Sequence, residues 1–154
     1  MATPEERLRE LGIELAPVPK PRWAYVPAVL TGNLLFVSGQ GVTRDGAPLY
    51  PGKLGAEVTV EQGQEVARAC AVSALAIARD QLGSLDRVER VVKLTVFVAS
   101  APGFGRQPDV ANGASEFLRD VFGEAGLGAR SAVGVAELPM GIPVEVEFIF
   151  AVRP

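Results

Sequence analysis

Residues 129–150 read ARSAVGVAELPMGIPVEVEFIF, with one arginine and three glutamates among residues that are otherwise mostly apolar or small. The whole chain has no histidine and one cysteine. Ser-His-Asp catalysis and histidine-built metal sites are therefore excluded, and Cys70 alone forms neither an internal disulfide nor a cysteine-built zinc site. No Walker sequence and no G-x-S-x-G occurs, and GFGRQP does not complete a dinucleotide fingerprint. The chemistry left to this chain belongs to Arg130, Glu145, Glu147 and a few hydroxyls. A guanidinium offers a planar fork to a carboxylate, and a carboxylate can orient water and carry a proton. In a strand, Arg130 shares a face with Ala132, Gly134 and Ala136, small neighbours that leave room for a small ligand carboxylate. The plain alternative is a strand-end arginine paired with a surface acid. For Glu145 and Glu147, at i and i+2, it is a solvated sheet edge.

The elements that must position these groups follow from pattern. Thr3-Pro4-Glu5-Glu6 predicts a short N-terminal helix over about 3–12, stopped by Gly12. Residues 24–30 look extended, with Pro27 restricting them to an edge, and GNLLFVSGQ (32–40) predicts the second strand of a hairpin. Residues 41–58 read as a loop. Thr59-x-x-Gln62 is a capping box opening a helix to Leu82, with Gly83 as its stop and an alanine-rich apolar face that includes Cys70. Residues 91–99 alternate as a strand: Val92, Leu94, Val96 and Val98 on one face, Val91, Lys93, Thr95 and Phe97 on the other. Asp109 is placed to cap a helix over about 110–123, and two strands follow at 130–136 and 144–152.

The order β-β-α-β-α-β-β predicts one α+β domain over 1–154: a two-layer sandwich, a mixed β-sheet with two helices on one face. The other face keeps Phe36, Phe97 and Val91, an apolar surface suited to burial in an oligomer. If the last two strands form a hairpin with residue 136 opposite 144, Arg130 lies opposite Phe150 and Glu145 opposite Val135. The charges then stand roughly 16 Å apart along the strands, so they meet only across a subunit boundary or in a different pairing.

The charged N-terminal segment MATPEERLRELG lacks the apolar core of a signal peptide, and no apolar run is long enough to span a bilayer, so the expectation is a cytoplasmic protein without membrane partners. A net charge of −3 with scattered basic residues speaks against nucleic acid as a partner.

Several motifs in the same order resemble the Rid family of reactive intermediate (enamine/imine) deaminases, also called endoribonuclease L-PSP. The match runs from about Tyr25 to Arg153. ARS-V-V--LP---VE-E is similar to the family's C-terminal signature. GNLLFVSGQ, VVKLTVFV and VANGASEF resemble its hairpin strand, central strand and second-helix segment. The resemblance implies a chorismate-mutase-like fold assembled as a homotrimer, with sites in clefts between subunits. It places the carboxylate-binding role on Arg130, the water-orienting acid on Glu145, and further substrate contacts on Tyr25, Ser38, Asn112 and Ala132, the last where the family often has cysteine. It implies hydrolysis of 2-imino or 2-enamino acids to 2-oxo acids and ammonia, with no metal or cofactor. Trp23-Ala24 replaces the family's Gly-Pro, Pro27 stands where glutamine is common, and the N-terminal extension and the 41–58 and 99–109 loops are longer than in the compact deaminases. A carboxylate-binding sensor and a ribonuclease or translation inhibitor are the competing functions.

Overall fold

The computed structural model describes residues 1–154. A helix α1 (Pro4–Glu10) precedes strands β1 (Ala28–Thr31) and β2 (Leu34–Gln40). A two-stranded ribbon, β3 (Thr43–Arg44) and β4 (Ala47–Pro48), lies within the segment expected to be loop. Helix α2 (Val60–Leu82), strand β5 (Val88–Ala99), helix α3 (Gln107–Phe122) and strands β6 (Ala129–Val135) and β7 (Val144–Val152) complete the chain. The main sheet has the order β1-β2-β7-β5-β6, antiparallel except for the parallel pair β5–β6. It is the mixed α+β architecture that the order of elements predicts. No helix is long and apolar enough to cross a membrane.

Local chemistry sets the helix ends. Thr59 and Gln62 form the reciprocal capping box at the start of α2, and Gly83 ends it in the left-handed conformation at φ 84°. Thr3 and Glu6 cap α1 in the same way. Helix α3 begins earlier than its sequence suggests. Arg106 occupies the cap position, Gln107 and Pro108 open the first turn, and the Asp109 carboxylate accepts from Arg106 Nε at 2.9 Å instead of capping. Proline is compatible with this position because the first turn's N–H groups have no helical partner.

Both long helices cover one sheet face. Ala67, Cys70, Ala71, Ala74, Leu75 and Ala78 of α2 are fully buried, as are Leu35, Val96, Val146 and Phe150 of the strands beneath. Small side chains let α2 approach α3: a Cβ at Gly113 would stand 2.1 Å from the Gln64 carbonyl oxygen, so only glycine permits this crossing. Cys70 is a buried small side chain whose thiol is pushed strongly upward by burial and, secondarily, by the charge of Glu145.

Two expectations fail here for one reason, local backbone irregularity. Val91 is not on the open face; it is fully buried under the helices, because the ladder slips between Val91 and Lys93 and reverses the alternation. The strand after Pro27 starts only at Ala28, which leaves Tyr25 in an irregular strap outside the sheet. Topology decides the pairing of the last two strands that the sequence left open. β6 and β7 do not form a hairpin, because β5 lies between them: Arg130 stands opposite Leu94, and Glu145 opposite Phe97.

Candidate functional site

Leu94 faces the helices, so Arg130, its neighbour in the ladder, does too. Its guanidinium reaches α3. Nη1 donates to Asn112 Oδ1 at 2.9 Å and to Ser115 Oγ at 3.2 Å, and Nη2 donates to the Pro108 carbonyl at 3.3 Å. All three acceptors are neutral. None of the molecule's ion pairs involves Arg130, so the alternative of a surface acid partner does not hold. A guanidinium has five N–H donors. The protein engages three, leaving Nε–H and one Nη2 proton without protein acceptors. A carboxylate gripped side-on uses Nε–H together with an Nη2 proton.

Ala132 follows Arg130 on the same face and packs against the core. The room expected beside the arginine is narrower than small residues suggest. Gly134 is crowded by Gln107 Nε2 and Ser100 Oγ, which a Cβ would meet at 2.9 and 3.1 Å.

Glu145, opposite Phe97, lies on the sheet's other face, together with Glu147 opposite Thr95. Two strand spacings and three residues of rise put Arg130 and Glu145 ~14 Å apart at Cα, with the sheet between their side chains. The Glu145 carboxylate is half-buried and accepts no protein hydrogen bond. It sits over Gly39, where a Cβ would be 2.6 Å from Oε2. Burial raises its pKa above the ordinary carboxylate value, and the negative charge of Glu147 adds to the rise.

A bulge in β2 shapes this half of the site. Val37 pairs with Phe148 and Gln40 with Val146, so Ser38 and Gly39 together face Glu147. Gln40 fixes the bulge: its Nε2 donates to the Ser38 carbonyl at 2.9 Å, and its Oε1 accepts from Ser73 of α2 at 3.0 Å. Ser38 Oγ donates to the Val26 carbonyl at 2.7 Å, tethering the strap that carries Tyr25. Tyr25, Phe36, Ser38, Glu147 and Ile149 line an open depression of about 490 Å³.

The structure thus gathers the predicted residues into two sets. Arg130, Asn112 and Ala132 lie on the helix side of the edge strand β6. Tyr25, Ser38 and Glu145 lie on the open face around the bulge. One chain does not bring the sets together. Ser115 and the Pro108 carbonyl escaped the sequence reading; Asn112 and Ser115 stand three apart on one helix face, the spacing at which side chains meet a common partner. Gly39 was missed because nothing in the sequence marks the bulge that sets it beneath Glu145.

The chain belongs to the family described as YjgF/chorismate mutase-like, putative endoribonuclease, whose model matches residues 5–151. This agrees with the Rid resemblance of its motifs. It is similar to Protein TCP17 of Trypanosoma cruzi, 50% identical over 141 residues, which covers 91% of this chain and 88% of that protein. The solved structure of Atu1372 from Agrobacterium tumefaciens, of unknown function, is 44% identical, with a TM-score of 0.88 over 97% of this chain and 92% of that one. The structure of E. coli TdcF with bound serine is 26% identical, with a TM-score of 0.55 over 89% and 94% of the two chains.

Proposed function

We propose that this protein hydrolyses reactive 2-imino and 2-enamino acids to 2-oxo acids and ammonia, in clefts between the subunits of a homotrimer. The observation that carries the reading is the state of Arg130. It is held by neutral acceptors with its bidentate edge free, which suits a small carboxylate. The serine bound to TdcF is a small molecule of that kind, and supports it.

Arg130 of one subunit holds the substrate carboxylate, with Asn112 and Ser115 fixing its guanidinium. Glu145 of a neighbour, which lacks a protein partner, orients water toward the imine carbon. Water's oxygen bonds to that carbon, its proton passes to Glu145, and the C=N electrons move to nitrogen. Glu145 hands that proton to the nitrogen to give a carbinolamine, then takes the carbinol O–H proton and passes it to the amino group, so that ammonia leaves as the C–N bond breaks and the oxygen's electrons close C=O. Ser38 and the Ala132 backbone complete the polar lining, and Tyr25 closes the cleft. Imines hydrolyse in water unaided, so positioning and modest charge stabilisation suffice, without a strong nucleophile or a cofactor.

The family's description favours a second reading, endoribonuclease. A net charge of −3 and the absence of histidine weigh against it. The test is release of 2-oxo acid from a freshly generated imine above the spontaneous rate, with Arg130→Ala as control. Acceleration that this variant loses supports deamination. Carboxylate binding without acceleration favours a sensor, and RNA cleavage without either favours the nuclease.

A further inference from the structure

We propose that Glu147 is a positioning residue for this reaction: lying beside Glu145 on the open face of β7, its carboxylate sets the electrostatic surroundings of its neighbour and so tunes the acid–base step. The inference rests on the deaminase reading above.

The geometry is that of two carboxylates at i and i+2 on one strand face, about 6.7 Å apart by strand rise. Their surroundings leave the repulsion largely uncompensated. From β5, Phe97 stands opposite Glu145 and Thr95 opposite Glu147, and Lys93, opposite Ile149, is the one cation on these neighbouring positions. Ser131 and Val133 of β6 lie beyond them. From β2, the bulge presents Ser38 and Gly39, neither charged, and the strap adds Tyr25. Behind the sheet stands Cys70 of α2, held neutral by burial. Neither glutamate takes part in an ion pair. The two differ in setting: Glu145 is half-buried over Gly39, whereas Glu147 is exposed. The half-buried Glu145 feels the charge of Glu147 beside it.

A general base works best when its pKa lies near the working pH. An ordinary glutamate is too weak to take a proton from water efficiently. Repulsion from Glu147 makes Glu145 a better base for that proton and a competent acid for handing it to nitrogen. Glu147 itself contacts neither water nor substrate in this scheme.

The test combines titration of the Glu145 carboxyl by 13C NMR with the pH profile of imine hydrolysis. Glu147→Gln should move both the Glu145 titration and the acid limb of kcat/KM to lower pH, most clearly at low ionic strength. Added salt should shrink the difference. Glu147→Asp, which keeps the charge, should restore the wild-type limb, and carboxylate affinity should be unchanged in both variants. An unmoved titration in Glu147→Gln would overturn the inference whatever the activity. A titration that moves while the acid limb does not would also overturn the role given to Glu147. A wild-type protein that hydrolyses no imine at any pH would instead overturn the function itself, even where the NMR coupling is present.

Discussion

At the scale of single residues, the proposed site pairs a cation that the protein holds firmly with an acid that it leaves unsupported. Arg130 makes three bonds to neutral groups, and Glu145 makes none. Arg130→Lys should fail to rescue binding, because an ammonium cannot supply two parallel donors; Arg130→Ala and Arg130→Lys should each lose about 1.5–3 kcal/mol of affinity for 2-oxobutanoate by calorimetry. Equal affinity in wild type and Arg130→Ala would place the ligand elsewhere. Glu145→Gln should lower kcat about 100-fold above the spontaneous background while sparing ligand affinity, the low end for loss of a general base. The same substitution carries a stability signature. Because the folded-state pKa of Glu145 is raised, the folded protein binds that proton more tightly than the unfolded chain. Its favourable contribution is complete below the unfolded value and is lost as pH rises through the folded one. Glu145→Gln should therefore unfold at higher temperature than wild type at neutral pH, with the gap closing in acid. A wild type more stable than the variant at neutral pH would mean that Glu145 is paired in solution.

At the scale of elements, close approaches set the geometry more than side-chain size does. The α2–α3 crossing depends on Gly113, where any Cβ meets the Gln64 backbone. Helix α3 carries Asn112 and Ser115, so this crossing also fixes the arginine's supports. Gly113→Ala should cost about 1–3 kcal/mol in urea denaturation, the range for overpacking, and should weaken carboxylate binding along with it. Undiminished stability would show that the helices separate without strain and that α3 is not rigidly held.

At the scale of the whole molecule, the two halves of the site face opposite ways from one sheet, which is the physical case for assembly. The open face carries Val29 at 50%, Phe36 at 41% and Val133 at 41% exposure, and Tyr25 in its strap is 49% exposed. Helices cover only the other face, so this apolar surface is left open on the single chain, as a surface suited to burial in an oligomer would be. Sedimentation should give a trimer, and Phe36→Asp should dissociate it and abolish imine hydrolysis with the Arg130 network intact. A stable wild-type monomer at micromolar concentration would remove the shared cleft and the mechanism built on it.

The sequence by itself determined the helices, their order among the strands and the apolar layer between them. Capping boxes, a left-handed glycine stop and 3.6- or 2-residue periodicity are local signals, and they act wherever the chain is read. Elimination left Arg130, Glu145 and Glu147 as the groups able to do chemistry, and the resemblance to the Rid family chose Glu145 over Glu147. Tertiary structure alone decided which strands are neighbours. Placing β5 between β6 and β7 set Arg130 opposite Leu94 and Glu145 opposite Phe97, on opposite faces of the sheet. It also decided where alternation breaks. The bulge at Ser38–Gly39 and the slip at Val91–Lys93 are local register shifts with no sequence signature, yet each turns the side chains around it to the other face.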